Sequence, residues 1–86
     1  MVLFEVYLEP GSFGQGILSD ETRNDTGAQV MSDSDAATAG FDGLPGNETG
    51  SDRCWIACRN GDAGRIMNAL NMSGSVSQFK PHEIPD

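Results

Sequence analysis

Residues 2 to 9 alternate with a period of two: Val2, Phe4, Val6 and Leu8 share one face, and Leu3, Glu5, Tyr7 and Glu9 share the other. Alternation of that kind, carried by β-branched and aromatic side chains, predicts a half-buried strand that Pro10-Gly11 ends. Arg53 to Cys58 predicts a second strand, with Cys54, Ile56 and Cys58 on one side and Trp55 and Ala57 on the other. Either both of its faces are covered or Trp55 stands at a contact surface. From about Asp62 to Ser73 the spacing becomes helical, because Ala63, Ile66, Met67 and Leu70 fall on a single stripe. Asn60 or Asp62 suits the start of that helix, and Gly74 suits the left-handed residue that commonly follows one. Val76 to Lys80 predicts a last strand, continued through His82 and Ile84. Pro81 has no N–H to donate and so favours a sheet edge or the strand's end.

Residues 11 to 52 carry weaker patterns. Gln15 to Ser19 and Ala28 to Ser32 are short apolar patches either side of Asp20 to Gly27, which suits a hairpin with a long polar loop. Ser32 or Ser34 is placed to cap a short helix through Ala36, Ala37, Ala39 and Phe41, stopped by Gly40, Gly43 and Pro45. Gly43 to Ser51 reads as loop. No internal repeat of twenty residues or more is visible, although each half reads as strand then helix. The 86 residues make one domain, with an acidic, loop-rich segment over 11–52 and a strand-helix-strand unit over 53–86. The expected class is α+β: a small antiparallel sheet with one or two helices packed on one face, ferredoxin-like in general plan with a degenerate or missing strand.

Charge is segregated along this pattern. Between Asp20 and Asp52 eight acids (Asp20, Glu21, Asp25, Asp33, Asp35, Asp42, Glu48 and Asp52) stand against Arg23 alone, which accounts for seven of the eight net negative charges. Residues 53 to 86 are near neutral. Such a field attracts basic partners and repels nucleic acid and anionic membranes. No basic leader, cleavage site or apolar run of ~20 residues is visible, so the expected setting is cytoplasmic. The Asn-x-Ser/Thr sequons at Asn24, Asn47 and Asn71 would matter only in a secreted protein.

Candidate chemistry is sparse. Cys54 and Cys58 lie four residues apart on one strand, roughly 13 Å at ~3.3 Å per residue, beyond the ~7 Å limit for a disulfide. With His82 as the only histidine, a zinc set is incomplete, and the two cysteines read as buried structural thiols. His82 has no neighbouring carboxylate in sequence except Glu83, no nucleophile elbow is present, and His82 reads as a surface or strand-end residue. Asp33-Ser34-Asp35 begins like a calcium loop, but Ala37, Thr38 and Leu44 take the fifth, sixth and twelfth positions and break the pattern. Gly11, Gly14 and Gly16 lack the Lys-Ser/Thr of a phosphate loop and lead into Asp20 and Glu21. The expectation is no catalytic residue, no metal and no cofactor.

The function expected from these residues is a small, non-catalytic acidic interaction protein that binds and blocks a basic protein or nucleoprotein complex. Its carboxylates would stand where nucleic-acid phosphates otherwise sit. In size and charge, though in no motif, the chain resembles the inhibitors that phages and mobile elements direct against host defence complexes. The expected contact residues are Asp33, Asp35 and Asp42, a second cluster of Asp20, Glu21 and Asp25, and Phe41 and Trp55 as apolar anchors. The alternative expectation is a homodimeric ferredoxin-like regulatory or assembly domain, pairing through Tyr7 and Trp55 on exposed sheet faces.

Overall fold

The sheet is built on β1 (Val2–Leu8), which is hydrogen-bonded on both sides and buried at all seven positions. The computed structural model describes residues 1–12, 16–41, 43–47, 50 and 52–84. On one flank β1 pairs antiparallel with β3 (Arg53–Cys58), and on the other with β4 (Val76–Glu83). The three-residue β2 (Gln29–Met31) pairs antiparallel with β3, which completes the order β2-β3-β1-β4. These directions make β1 run with β2 and β3 run with β4, each pair separated in the sheet by one strand of the other. With α1 (Asp20–Thr26) joining the first pair and α3 (Ala63–Met72) the second, the fold is two split strand-helix-strand units in a ferredoxin-like plan. The degenerate strand of the expected plan is β2.

Local chemistry explains the helices. Ser19 accepts the Thr22 N–H and caps α1, and Gly27 ends it at φ 66°, a conformation that costs glycine little. The hairpin expected over Gln15 to Ser32 is therefore corrected. Its polar loop is a capped helix, only Gln29–Met31 is strand, and residues 13–15 lie outside the described part. The short helix α2 (Asp33–Thr38) is capped by Ser32, as its sequence predicts. The Phe41 and Gly40 amides donate back to the Ala36 and Ala37 carbonyls across a left-handed Gly40, a Schellman ending. At α3 the expected caps differ. Asp62 precedes the helix after a 3-10 turn (Asn60–Asp62), but its carboxylate is engaged by Arg59. Gly74 is not left-handed, because the chain leaves α3 through an extended Ser73.

Both sheet faces are covered. The first carries Val2, Phe4, Val6, Leu8, Cys54, Ile56 and Cys58, packed against Ile66 and Leu70 of α3 and Ile17, Leu18 and Ala28 beside α1. Phe79 stands edge-on to Phe4 at 6.0 Å between ring centroids. On the second face Leu3, Trp55, Ala57 and Met31 meet Ala36 of α2, with Phe41, Leu44 and Ile84 around them. The expectation of helices on one face thus holds for α1 and α3, while α2 closes the other.

Backbone parity explains Pro81. The Ile84 amide donates to Met1 and the Glu9 amide to Ser75, so the odd residues of β1 aim their backbone groups at β4. In β4 this turns Gln78, Lys80 and His82 toward β1 and Phe79, Pro81 and Glu83 toward the open edge. The proline sits where a missing N–H costs no ladder bond, and it blunts that edge against strand addition.

Ile66 is fully buried in the first core whereas Met67 beside it is 36% exposed. Ile66→Ala is expected to cost about 2–5 kcal/mol, a large part of the ~4–13 kcal/mol ordinary for this length. Met67→Ala is expected within ~0.5 kcal/mol of the parent. Urea unfolding of the two variants checks both.

Candidate functional site

The acids anticipated as contact residues do not form one patch. Asp20, Glu21 and Asp25 lie on α1, and Asp33 and Asp35 lie on α2, on opposite faces of the sheet. Asp20 pairs with Arg23, and Asp25 pairs with Arg65 of α3 at 3.0 Å, both at exposed positions where an ion pair stabilises little. Glu21 and Asp35 are exposed and make no ion pair with a described residue. Asp42, with Glu48, lies outside the described residues. Phe41 is half-buried against the second core. Trp55 is a correction: at 0% exposure it is core and cannot stand at a contact surface, and Tyr7 at 6% is likewise covered. Helix α2 and the segment carrying Phe41 and Leu44 cover the face on which both lie.

What the second face holds instead is a buried polar cluster that strand pairing assembles. Glu5 on β1 stands opposite Trp55 on β3 and Lys80 on β4, with Arg53 and His82 two register positions away on the same face, opposite Tyr7 and Leu3. Its carboxylate accepts from the Tyr7 hydroxyl, from Arg53 Nη1 at 3.2 Å and from His82 Nε2 at 2.9 Å, so the ring proton resides on Nε2. Arg53 donates a two-pronged pair, Nε and Nη2, to the two oxygens of Asp33 at 3.1 Å each, and Nη1 also reaches the Pro45 carbonyl at 2.8 Å. The Trp55 indole N–H donates to Asp33 Oδ1 at 2.6 Å, and the Arg53 guanidinium lies 4.8 Å from the Trp55 ring centre. One arginine thus ties the sheet to α2 through Asp33 and to the following segment through Pro45.

The electrostatics follow from these contacts. Burial pushes Glu5 up, but the hydrogen bonds from Tyr7, His82 and Arg53 outweigh it and hold the carboxyl below its ordinary 4.5. Hydrogen bonds from Arg53 hold Asp33 below 3.8 despite its partial burial. The bond to Glu5 raises Tyr7, and desolvation of Arg53 is overcome by Asp33 and its other partners, which keep it charged. Cys54 and Cys58 are free and buried, and burial pushes the Cys54 thiol up to about 11, so it is an unreactive group at neutral pH. His82, which sequence proximity paired only with Glu83, has Glu5 as its carboxylate, 77 residues away. Glu5 and Arg53 are not among the expected contact residues, and Tyr7, expected at the surface of a dimeric alternative, is instead a member of this buried cluster. The one sequence signal was an acid on a strand face between Leu3 and Tyr7, where burial demands a partner. Because the polar atoms of Glu5 and Tyr7 are taken up inside the cluster, it acts as a fastening between layers.

Open surface gathers instead around β2. A depression of ≈ 760 Å³ is lined by Arg23 of α1, by Ala28 to Met31 and by Asp35 of α2. A second, of ≈ 620 Å³, lies at the other end of β2 and includes Asp25, Gln29 and Arg59. Among the described residues no three His, Cys, Asp or Glu side chains gather in a way that could hold a metal ion, and no helix is long and apolar enough to cross a membrane. The chain matches no protein-family model, no curated protein and no solved structure.

Replacing Arg53 with Met leaves Glu5, 5% exposed, and Asp33 without their cation. The expected loss is about 3–5 kcal/mol, dominated by Glu5 because Asp33 is half exposed and screened; chemical denaturation at neutral pH measures it. The lowered values of Glu5 and Asp33 mean that the unfolded chain binds more protons in acid. Their stabilisation is complete above the ordinary 4.5 and 3.8 and is lost as pH falls through the lower folded values. Melting temperatures below pH 5 are expected to fall more steeply for the parent than for Glu5→Gln, a difference that removes the general relief of negative charge common to both proteins. Parallel curves would count against the assignment.

Proposed function

We propose that this protein is a non-catalytic acidic binding protein that occupies the basic, nucleic-acid-binding surface of a partner protein and thereby inhibits it. The observation that carries this reading is how the charges are used. All four arginines are engaged within the molecule: Arg23 with Asp20, Arg53 with Glu5 and Asp33, Arg59 with Asp62, and Arg65 with Asp25. Glu21 and Asp35 meanwhile remain exposed on the two helices beside β2, in a chain of net charge −8. A surface whose arginines are neutralised at home, with Lys80 the one exposed base that makes no ion pair among the described residues, offers little footprint to phosphate, and the net charge gives a potential of the right sign for a basic groove. Asp33 is withdrawn from the contact set, because its carboxylate is spent on Arg53 and Trp55.

The homodimeric ferredoxin-like alternative loses its stated basis, since Tyr7 and Trp55 are covered by α2 and its neighbours. An intracellular setting belongs to the same proposal, as a target that holds nucleic acid is met there, and two free buried cysteines suit a reducing compartment.

The test is a variant carrying Asp20→Asn, Glu21→Gln, Asp25→Asn and Asp35→Asn, which moves the net charge from −8 to −4 and leaves the Arg53 cluster untouched. Affinity capture at low salt is expected to recover a basic nucleic-acid-binding protein that duplex DNA displaces. Its retention should drop by about tenfold or more at high salt or with the variant. Equal recovery by parent and variant at every salt concentration would sink the proposal.

A further inference from the structure

The two edges of the sheet are unlike, and the difference singles out β2. On β4 the outward-facing backbone position at the strand's middle is Pro81, so an incoming strand finds no donor there. On β2 the same parity can be followed inward from β1. The Leu8 amide donates to Asp52, so even residues of β1 bond β3, odd residues of β3 face β2, and Gln29 and Met31 complete that ladder opposite Ala57 and Trp55. The N–H and C=O of Val30 therefore point away from the sheet. They open along the ≈ 760 Å³ depression between Arg23 and Asp35, and no described residue supplies a partner for them.

From this geometry we infer that β2 is a docking edge: an extended, basic segment of a partner protein adds antiparallel to β2, pairing with Val30 and placing its cations near Asp35 and Asp25. Charge complementarity selects that occupant. Asp35 lies in the depression along β2, and Asp25 lies in the one at its other end. Arg23 in the first lining is held by Asp20 and Arg59 in the second by Asp62, so neither base is free, while Asp25 is shared with Arg65 at an exposed position and Asp35 makes no ion pair with a described residue. A second copy of this chain is disfavoured at the same edge, because an antiparallel pair about Val30 would turn the Asp35 end of each copy toward the Asp25 end of the other in a chain of net charge −8. The edge is short, so backbone pairing sets register and direction while the carboxylates contribute the longer-range attraction. This inference rests on the acidic-binding reading and supplies its contact mode.

The probe is a synthetic eight-residue peptide alternating Lys and Val, with three companions: the same peptide N-methylated at the central pairing residue, a Glu/Val peptide, and the Lys/Val composition interrupted by proline. Binding is followed by amide chemical shifts and hydrogen exchange of the whole chain. The expected result is protection of the Val30 amide by the Lys/Val peptide, with affinity lowered about tenfold or more by N-methylation and no binding of the Glu/Val peptide. Val30→Pro should do the same from the protein side, since that N–H serves no bond within the sheet. Should that variant fail to fold, the N-methylated probe reads the same bond in the unaltered protein. If N-methylation and proline leave affinity unchanged while Asp25→Asn with Asp35→Asn abolishes binding, strand addition is overturned and the acidic reading survives. If neither class of change matters, or the Lys/Val peptide does not bind, both are overturned.

Discussion

The structure depends on a carboxylate buried in the second face of a small sheet. Glu5 lies on a central strand, and an ionised group at that depth is tolerated only when its lone pairs are filled, here by Tyr7 of the same strand and by Arg53 and His82 of the two flanking strands. A ferredoxin-like plan covers one sheet face with its two crossover helices. In this chain the other face is closed by α2 and the segment around Leu44, whose apolar contribution is modest: Ala36, Phe41 and Leu44. The Arg53 link from Glu5 to Asp33 and the Pro45 carbonyl supplies the attachment that so small an apolar contact does not.

That fastening also decides which charges are available. A carboxylate clamped by a guanidinium and an indole cannot serve a partner without unfastening α2, so Asp33 belongs to the fold while Asp35, two residues on, belongs to the surface. Trp55 moves the same way, from a candidate anchor to the centre of the second core. Burial of the second face leaves the sheet's edges and the helices' outer sides exposed. Of the two edges, one is blunted by Pro81 and the other lies between acid-bearing helices.

Much of the framework is legible in residue order because it follows from short-range periods. The alternation over Val2 to Leu8 and Arg53 to Cys58, the helical stripe through Ile66 and Leu70, and the Ser32 cap with its Gly40 stop each depend on neighbours within a few residues. The region before β2 was less legible for the same reason. Ile17 and Leu18 look like strand residues beside a polar stretch, and only the Ser19 cap and Gly27 stop marked that stretch as a helix. An apolar pair needs no strand of its own if it packs beneath a helix.

By itself the sequence determined which residues share a face, where the charge is concentrated and that Pro81 must avoid an inward ladder position, since each is a matter of parity or composition. Tertiary structure alone decided which faces are covered and which acids are spent. Tyr7 apart, the partners of Glu5 lie 48 and 77 residues away, and those of Asp33 lie 20 and 22. No local pattern encodes such pairings; they exist only once β1 is seated between β3 and β4 in one register, which brings groups from distant segments within hydrogen-bonding reach.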